Sequence, residues 1–195
     1  MRSELVSTLL DTLDKLSGGI HPGFRPVHAK GVMCSGSFQA SPDAAKLTRA
    51  PHALRQSTPI TVRFSSAAGV PTVPDNDPTR ANPQGIAVRF HLADHVHTDI
   101  VAHSHNGFPV RTGEQFLAFL KAAAESGPGA PSPPPIAAFL ATHPAAMEFV
   151  EAQKPIPTSY TRQAYFGVTA FKFTNPEGQS RFGRFRLRPE TGLRD

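Results

Sequence analysis

From Val27 to His103 the apolar residues arrive in short runs cut by Pro, Gly and Asn, and this pattern constrains the fold more than any other feature of the chain. Apolar runs of that length, bounded by turn residues, read as β-strands. The expected strands are Ala29–Phe38, Ile60–Ser65, Gly85–Leu92 and Thr98–His103. Pro71–Pro83, with Pro74-Asp75-Asn76-Asp77-Pro78 at its centre, reads as a turn-rich loop between the second and third.

Helical patterns lie on either side. Leu5, Leu9, Leu13 and Leu16 recur every three or four residues between Ser3 and Ser17, and Gly18-Gly19 ends the pattern, which predicts an amphipathic helix. Thr112-Gly113-Glu114-Gln115 has the form of a capping box. Phe116, Phe119, Leu120 and Ala123 follow it on one helical face, and Gly127-Pro128-Gly129 closes the segment. Beyond the proline-rich link Pro131–Pro135, shorter helices are expected over Ile136–Thr142 and Pro144–Gln153, the second opened by a proline in its first turn. Strands return at Tyr165–Thr174 and Ser180–Pro189, joined by the turn Asn175-Pro176-Glu177-Gly178. Strands, a helical insertion, then strands again make an α+β chain dominated by antiparallel sheet, with barrel and sandwich both able to bury its edges.

Composition narrows the classes. At 195 residues with 39% hydrophobic and 18% charged side chains, the chain has enough apolar mass for one folded domain and too much for a disordered one. The net charge of +5 is concentrated late, at Arg181, Arg184, Arg186, Arg188 and Arg194. Arg184, Arg186 and Arg188 alternate with Phe185 and Leu187, as one solvated face of a strand would, so no nucleic-acid partner is expected. A single cysteine, Cys34, allows no internal disulfide and points to a cytoplasmic setting. Glu4, Asp11, Asp14 and Lys15 interrupt the leucines of the first helix, unlike a signal peptide. No stretch approaches the roughly 18 apolar residues needed to cross a bilayer, so no membrane partner is expected.

Three stretches carry chemistry. Arg25-Pro26-Val27-His28-Ala29-Lys30-Gly31 sets a histidine on what reads as an apolar strand, between a cation and a glycine. Thr61-Val62-Arg63-Phe64-Ser65-Ser66 and Asp99-Ile100-Val101-Ala102-His103-Ser104 follow it. Moving a proton from one oxygen to another needs a base that takes it up and returns it, a task suited to imidazole. Buried carboxylates need cationic partners, and guanidinium groups pair with them through two parallel hydrogen bonds. Read without context, His28 is a core histidine, the arginines are surface charge and the phenylalanines are packing.

Taken together, in this order and spacing, the three stretches resemble the haem catalases, in particular the small catalase-related peroxidase branch. The resemblance implies haem b (iron protoporphyrin IX) as cofactor, with His28 as the distal histidine and Ser65 as the hydroxyl that accepts a hydrogen bond from its ring. It assigns Arg25 and Arg63 to the haem propionates and adds Val27 to the cofactor contacts. Phe108 and Phe116 take the places of pocket phenylalanines, the second stacking on the porphyrin. His103 stands where typical catalases have the distal asparagine, with Asn106 three residues later. Because that asparagine normally orients a second peroxide, its replacement favours peroxidase-type turnover of hydrogen peroxide or organic hydroperoxides with an organic electron donor, and weak catalase activity.

The resemblance covers only the front part of the family's domain. The proximal tyrosine follows an arginine by four residues in the family, whereas Tyr160 and Tyr165 here follow Ile156 and Thr161, so no metal ligand is assigned. One catalase-like haem-binding domain is expected: an N-terminal helix over 1–19, first barrel strands over 20–110, a helical insertion over 111–160 and later strands over 161–195. About six strands cannot close an antiparallel β-barrel of roughly eight, so the barrel should be incomplete, with edges open to a homo-oligomer or a partner chain. Competing readings are an enzyme that rearranges lipid hydroperoxides, a non-catalytic haem- or partner-binding remnant, and a basic nucleic-acid-binding barrel.

Overall fold

In the computed structural model, which describes residues 3–190 and Gly192, Ser3 caps the first helix by accepting the amide proton of Val6. Arg194, one of the late basic residues, lies outside the described residues. The elements run α1 (Glu4–Leu16), β1 (Val32–Phe38), α2 (Ala44–Leu47), α3 (Pro51–Leu54), β2 (Thr58–Ser65), β3 (Gly85–Ala93) and β4 (Val96–His103). The helical insertion follows as α4 (Gly113–Ala124), α5 (Pro135–Thr142) and α6 (Pro144–Glu151). A 3-10 turn at Tyr160–Arg162 leads to β5 (Tyr165–Phe166), β6 (Phe171–Thr174), β7 (Ser180–Gly183) and β8 (Arg186–Leu187).

The chain gathers into two compact units, each assembled from separated stretches. Among the described residues, the first comprises residues 3–30, 66–82 and 107–156; the second comprises residues 31–65, 83–106 and 157–190.

The first unit is helical. Leu5, Leu9 and Leu13 are half-buried on the stripe the periodicity predicts, and α1 packs on α4, with Gly113 lying so close to Leu5 that a β-carbon there would sit 3.2 Å from its Cδ2. Thr112 caps α4 by accepting the Gln115 amide. The capping box does not close in the expected way, because the Gln115 side chain accepts the Arg111 amide proton instead. Aromatic rings then form a chain of contacts through the unit: Phe149 on Phe108, Phe108 on Phe116, Phe116 on Phe119, Phe119 on Phe139, and Phe139 flat on His143 at 3.9 Å.

The second unit is built on a six-stranded antiparallel sheet in the order β1-β2-β3-β4-β5-β8, with β6 and β7 forming a separate hairpin. Facing residues share a side of a sheet. Ile60, Val62 and Phe64 on β2, Ile86, Val88 and Phe90 on β3, and Ile100 and Ala102 on β4 form the apolar core with Tyr165 and Leu187. The intervening residues make the opposite face.

Three strand expectations are corrected. The strand expected from Ala29 starts at Val32, because Arg25–Gly31 is irregular. The stretches Tyr165–Thr174 and Ser180–Pro189 each break in two. At the first break the Gly167 amide reaches across to the Phe185 carbonyl at 2.9 Å, and Phe185 turns its ring onto Phe171 and Phe173. Arg184, Arg186 and Arg188 stay exposed beside half-buried Phe185 and Leu187, as their alternation predicts.

Candidate functional site

His28 stands in a bend, not on a strand, with a left-handed backbone (φ 52°). Such a conformation is costly for a residue with a β-carbon and persists only where neighbours hold it. Three contacts do so within the first unit. The His28 amide donates to the Ala67 carbonyl at 3.2 Å, Ala29 does the same to Ala68 at 3.0 Å, and Lys30 pairs with Asp75 at 3.0 Å. Upstream, Ser17 Oγ donates to the Pro26 carbonyl at 2.9 Å. Gly69 closes on that same carbonyl: a β-carbon there would lie 1.9 Å from it and 2.1 Å from Ser17 Oγ. Val27 and His28 are half-buried and Arg25 is exposed. Next to Ala67, the Ser66 hydroxyl is fully buried with no hydrogen-bond partner, a polar group the sequence reading passed over.

Phe108 and Phe116 belong to the same unit, their ring centres 5.2 Å apart. The two expected pocket phenylalanines are thus brought together as links in the unit's aromatic chain.

Arg63, Ser65 and His103 share the non-core face of the second unit's sheet. Across β2, β3 and β4 the register aligns Ser65, Gly85 and His103 in one row, and Arg63, Ala87 and Val101 in the row beside it. Gly85 carries no side chain, so nothing of β3 rises between the hydroxyl and the imidazole. Ser65 is 4% exposed, whereas Val101 on the same face is 72% exposed. Arg63 folds its guanidinium over Gly31, where a β-carbon would lie 2.7 Å from Cζ and 2.5 Å from the Phe64 carbonyl. His103 Nδ1 accepts the His105 amide proton at 3.4 Å, and the two rings stack with centres 6.5 Å apart. Asn106 is occupied elsewhere, its side-chain oxygen accepting from Arg184.

Tyr165 does not offer a phenolate. Tyr165 is 2% exposed, donates to the Tyr160 carbonyl at 2.7 Å and accepts from Gln163 at 3.0 Å. Burial pushes its phenol well above the ordinary range, so it remains protonated. The Tyr160 ring stacks on Phe64 with centres 5.8 Å apart. Imidazole, hydroxyl and guanidinium groups beside exposed apolar surface fit the chemistry of one side of a haem; Tyr165, buried and hydrogen-bonded, does not serve the other side as a phenolate.

A family model described as Catalase matches residues 21–195. The chain belongs to the catalase family. The catalase-related peroxidases of Mycolicibacterium paratuberculosis and Synechococcus elongatus are 36% and 34% identical to it, each over 89% of its length. This catalase-family chain covers 54% and 51% of those proteins, about half the length of the curated relatives it matches. The crystal structure of a fungal catalase shares its fold with a TM-score of 0.73 at 22% identity, over 96% of this chain and 38% of that one. The α+β, part-barrel architecture expected from the resemblance is therefore that of the catalases. No helix of the described residues is long and apolar enough to cross a membrane.

Proposed function

We propose that the chain carries the distal half of a haem-dependent peroxide oxidoreductase of peroxidase type, acting with an organic electron donor. The observation that carries this reading is the alignment of Ser65 and His103 in one row, next to Arg63 and exposed Val101, on the sheet face turned away from the core. Haem b, when bound, supplies the redox equivalents that peroxide cleavage requires. The protein's own part is to move the proton and hold the cofactor's edge. His28 would take a proton from one peroxide oxygen and return it to the other. The resemblance gives Ser65 the hydroxyl that would accept from a distal histidine ring and fix its tautomer. Arg25 and Arg63 neutralise propionates, with Val27, Phe108 and Phe116 as apolar contacts. His103 replaces the amide that would orient a second peroxide, which favours donor oxidation over dismutation.

A non-catalytic haem-binding remnant is the second reading, favoured by the committed Tyr165 phenol. A titration of the purified chain with haem b, followed by peroxide-dependent oxidation of a phenolic donor, separates the two. His28→Ala should lower turnover by about 100-fold or more while Soret binding persists. Ser65→Ala should cost less and add nothing in the His28→Ala background, the signature of two groups acting as one. Equal turnover in His28→Ala and the parent overturns the proposal, and haem binding without any turnover selects the remnant.

A further inference from the structure

Far from the row that holds Ser65, the tip of the β3–β4 hairpin pairs two more imidazoles. His91 and His97 are directly opposed in the antiparallel register, and both are exposed. Residues so opposed carry their β-carbons about 4.5–5.5 Å apart on one face, a spacing from which two imidazoles can bind one ion at about 2.0–2.1 Å. The His91 ring is already oriented, its Nε2 lying 2.9 Å from Thr61 Oγ1 on the neighbouring strand. A ligating imidazole commonly gives its second N–H to an oxygen in this way, which leaves the other nitrogen's lone pair for the metal.

The Asp99 carboxylate lies in the next row of the same face, directly opposite Arg89 and two residues along β4 from His97. Arg89 Nε and Nη2 each reach one carboxylate oxygen at 2.9 Å, so Asp99 is held by Arg89 and supplies no coordinate bond. No group of three or more His, Cys, Asp or Glu able to hold a metal occurs among the described residues. Coordination is therefore two nitrogens completed by water, which selects Ni²⁺, Cu²⁺ or Zn²⁺ over Mg²⁺ or Ca²⁺.

We propose that His91 and His97 form a two-imidazole site for a divalent transition-metal ion on the β3–β4 hairpin, with Thr61 orienting His91. An ion there ties one strand to the next and stabilises the folded state by mass action. The test is calorimetric titration of the tag-free chain with NiCl2 and ZnCl2, with MgCl2 as control, and thermal unfolding in parallel. One saturable site for Ni²⁺ and Zn²⁺ is expected, together with a raised unfolding midpoint. His91→Gln and His97→Gln should each weaken it by about 10-fold or more, and Thr61→Val by a smaller factor. Absence of saturable binding, equal binding of Mg²⁺, or undiminished binding by the His91→Gln/His97→Gln double variant overturns the proposal.

Discussion

Single residues at close approaches decide how the motif around His28 is held. Gly69 is one: a β-carbon there meets the Pro26 carbonyl oxygen at 1.9 Å and its carbon at 2.8 Å, both backbone atoms. Neither can retreat without moving the segment that ends in His28. Gly69→Ala should therefore destabilise the protein by about 1–3 kcal/mol, the range of overpacking in a fitted interior, measured by chemical unfolding. It should also speed exchange of the His28 and Ala29 amides, which bond the Ala67 and Ala68 carbonyls. Unchanged stability and exchange would show that the contact yields freely. The identities of His28, Arg63 and Ser65 as candidates were legible in the sequence, because motif residues are legible one at a time. The left-handed backbone of His28 was not, since it is imposed by a segment roughly forty residues downstream in the chain. Ser66 escaped for a similar reason, as burial of a hydroxyl without a partner leaves no periodic trace.

Among the elements, the strand cores and long helices followed their periodicity closely, while irregular stretches followed hydrogen bonds that periodicity does not encode. The turn inside Pro71–Pro83 shows what sets such a stretch. Asp77 Oδ1 accepts from the Arg80 amide at 2.8 Å, the Thr79 amide at 3.0 Å and the Thr79 hydroxyl at 2.8 Å, while Oδ2 accepts from Arg80 Nε at 3.0 Å. All four favour the ionised carboxylate, and the Arg80 amide contributes most, so Asp77 is held well below the ordinary value of 3.8. A carboxylate depressed in the folded state stabilises it fully above the unfolded value, and that contribution is lost as pH falls further. Asp77→Asn keeps an acceptor oxygen but no charge. The variant should be less stable than the parent at neutral pH, and the gap should narrow on acidification below about pH 4, in unfolding curves recorded across that range. A gap that stays constant with pH would assign the effect to hydrogen bonding alone. The breaks within Tyr165–Thr174 and Ser180–Pro189 have the same kind of cause, a Gly167–Phe185 backbone bond and a cluster of three phenylalanines, neither visible in the local alternation.

At the scale of the whole molecule, the expected shortage of strands is met by a sheet whose terminal strands, β1 and β8, have no further partner strand among the described residues. β1 is the more exposed, with six of its seven residues open to solvent. Its sequence, Val32-Met33-Cys34-Ser35-Gly36-Ser37-Phe38, contains no charge and no proline. Natural edges usually carry such features to block pairing with another chain, and without them backbone donors and acceptors template a further strand. The purified chain should therefore self-associate with rising concentration, its net charge of +5 opposing but not preventing contact at an uncharged edge. Ser35 lies mid-strand opposite Thr61, on the non-core face, where a lysine can extend into solvent without entering the apolar cluster. Ser35→Lys should shift the population toward monomer in sedimentation velocity experiments at matched concentration, with the unfolding midpoint of the monomer little changed. Association that is equally strong in the parent and in Ser35→Lys would place the contact on another surface, and a parent that stays monomeric throughout would show that β1 is protected in a way its sequence does not reveal.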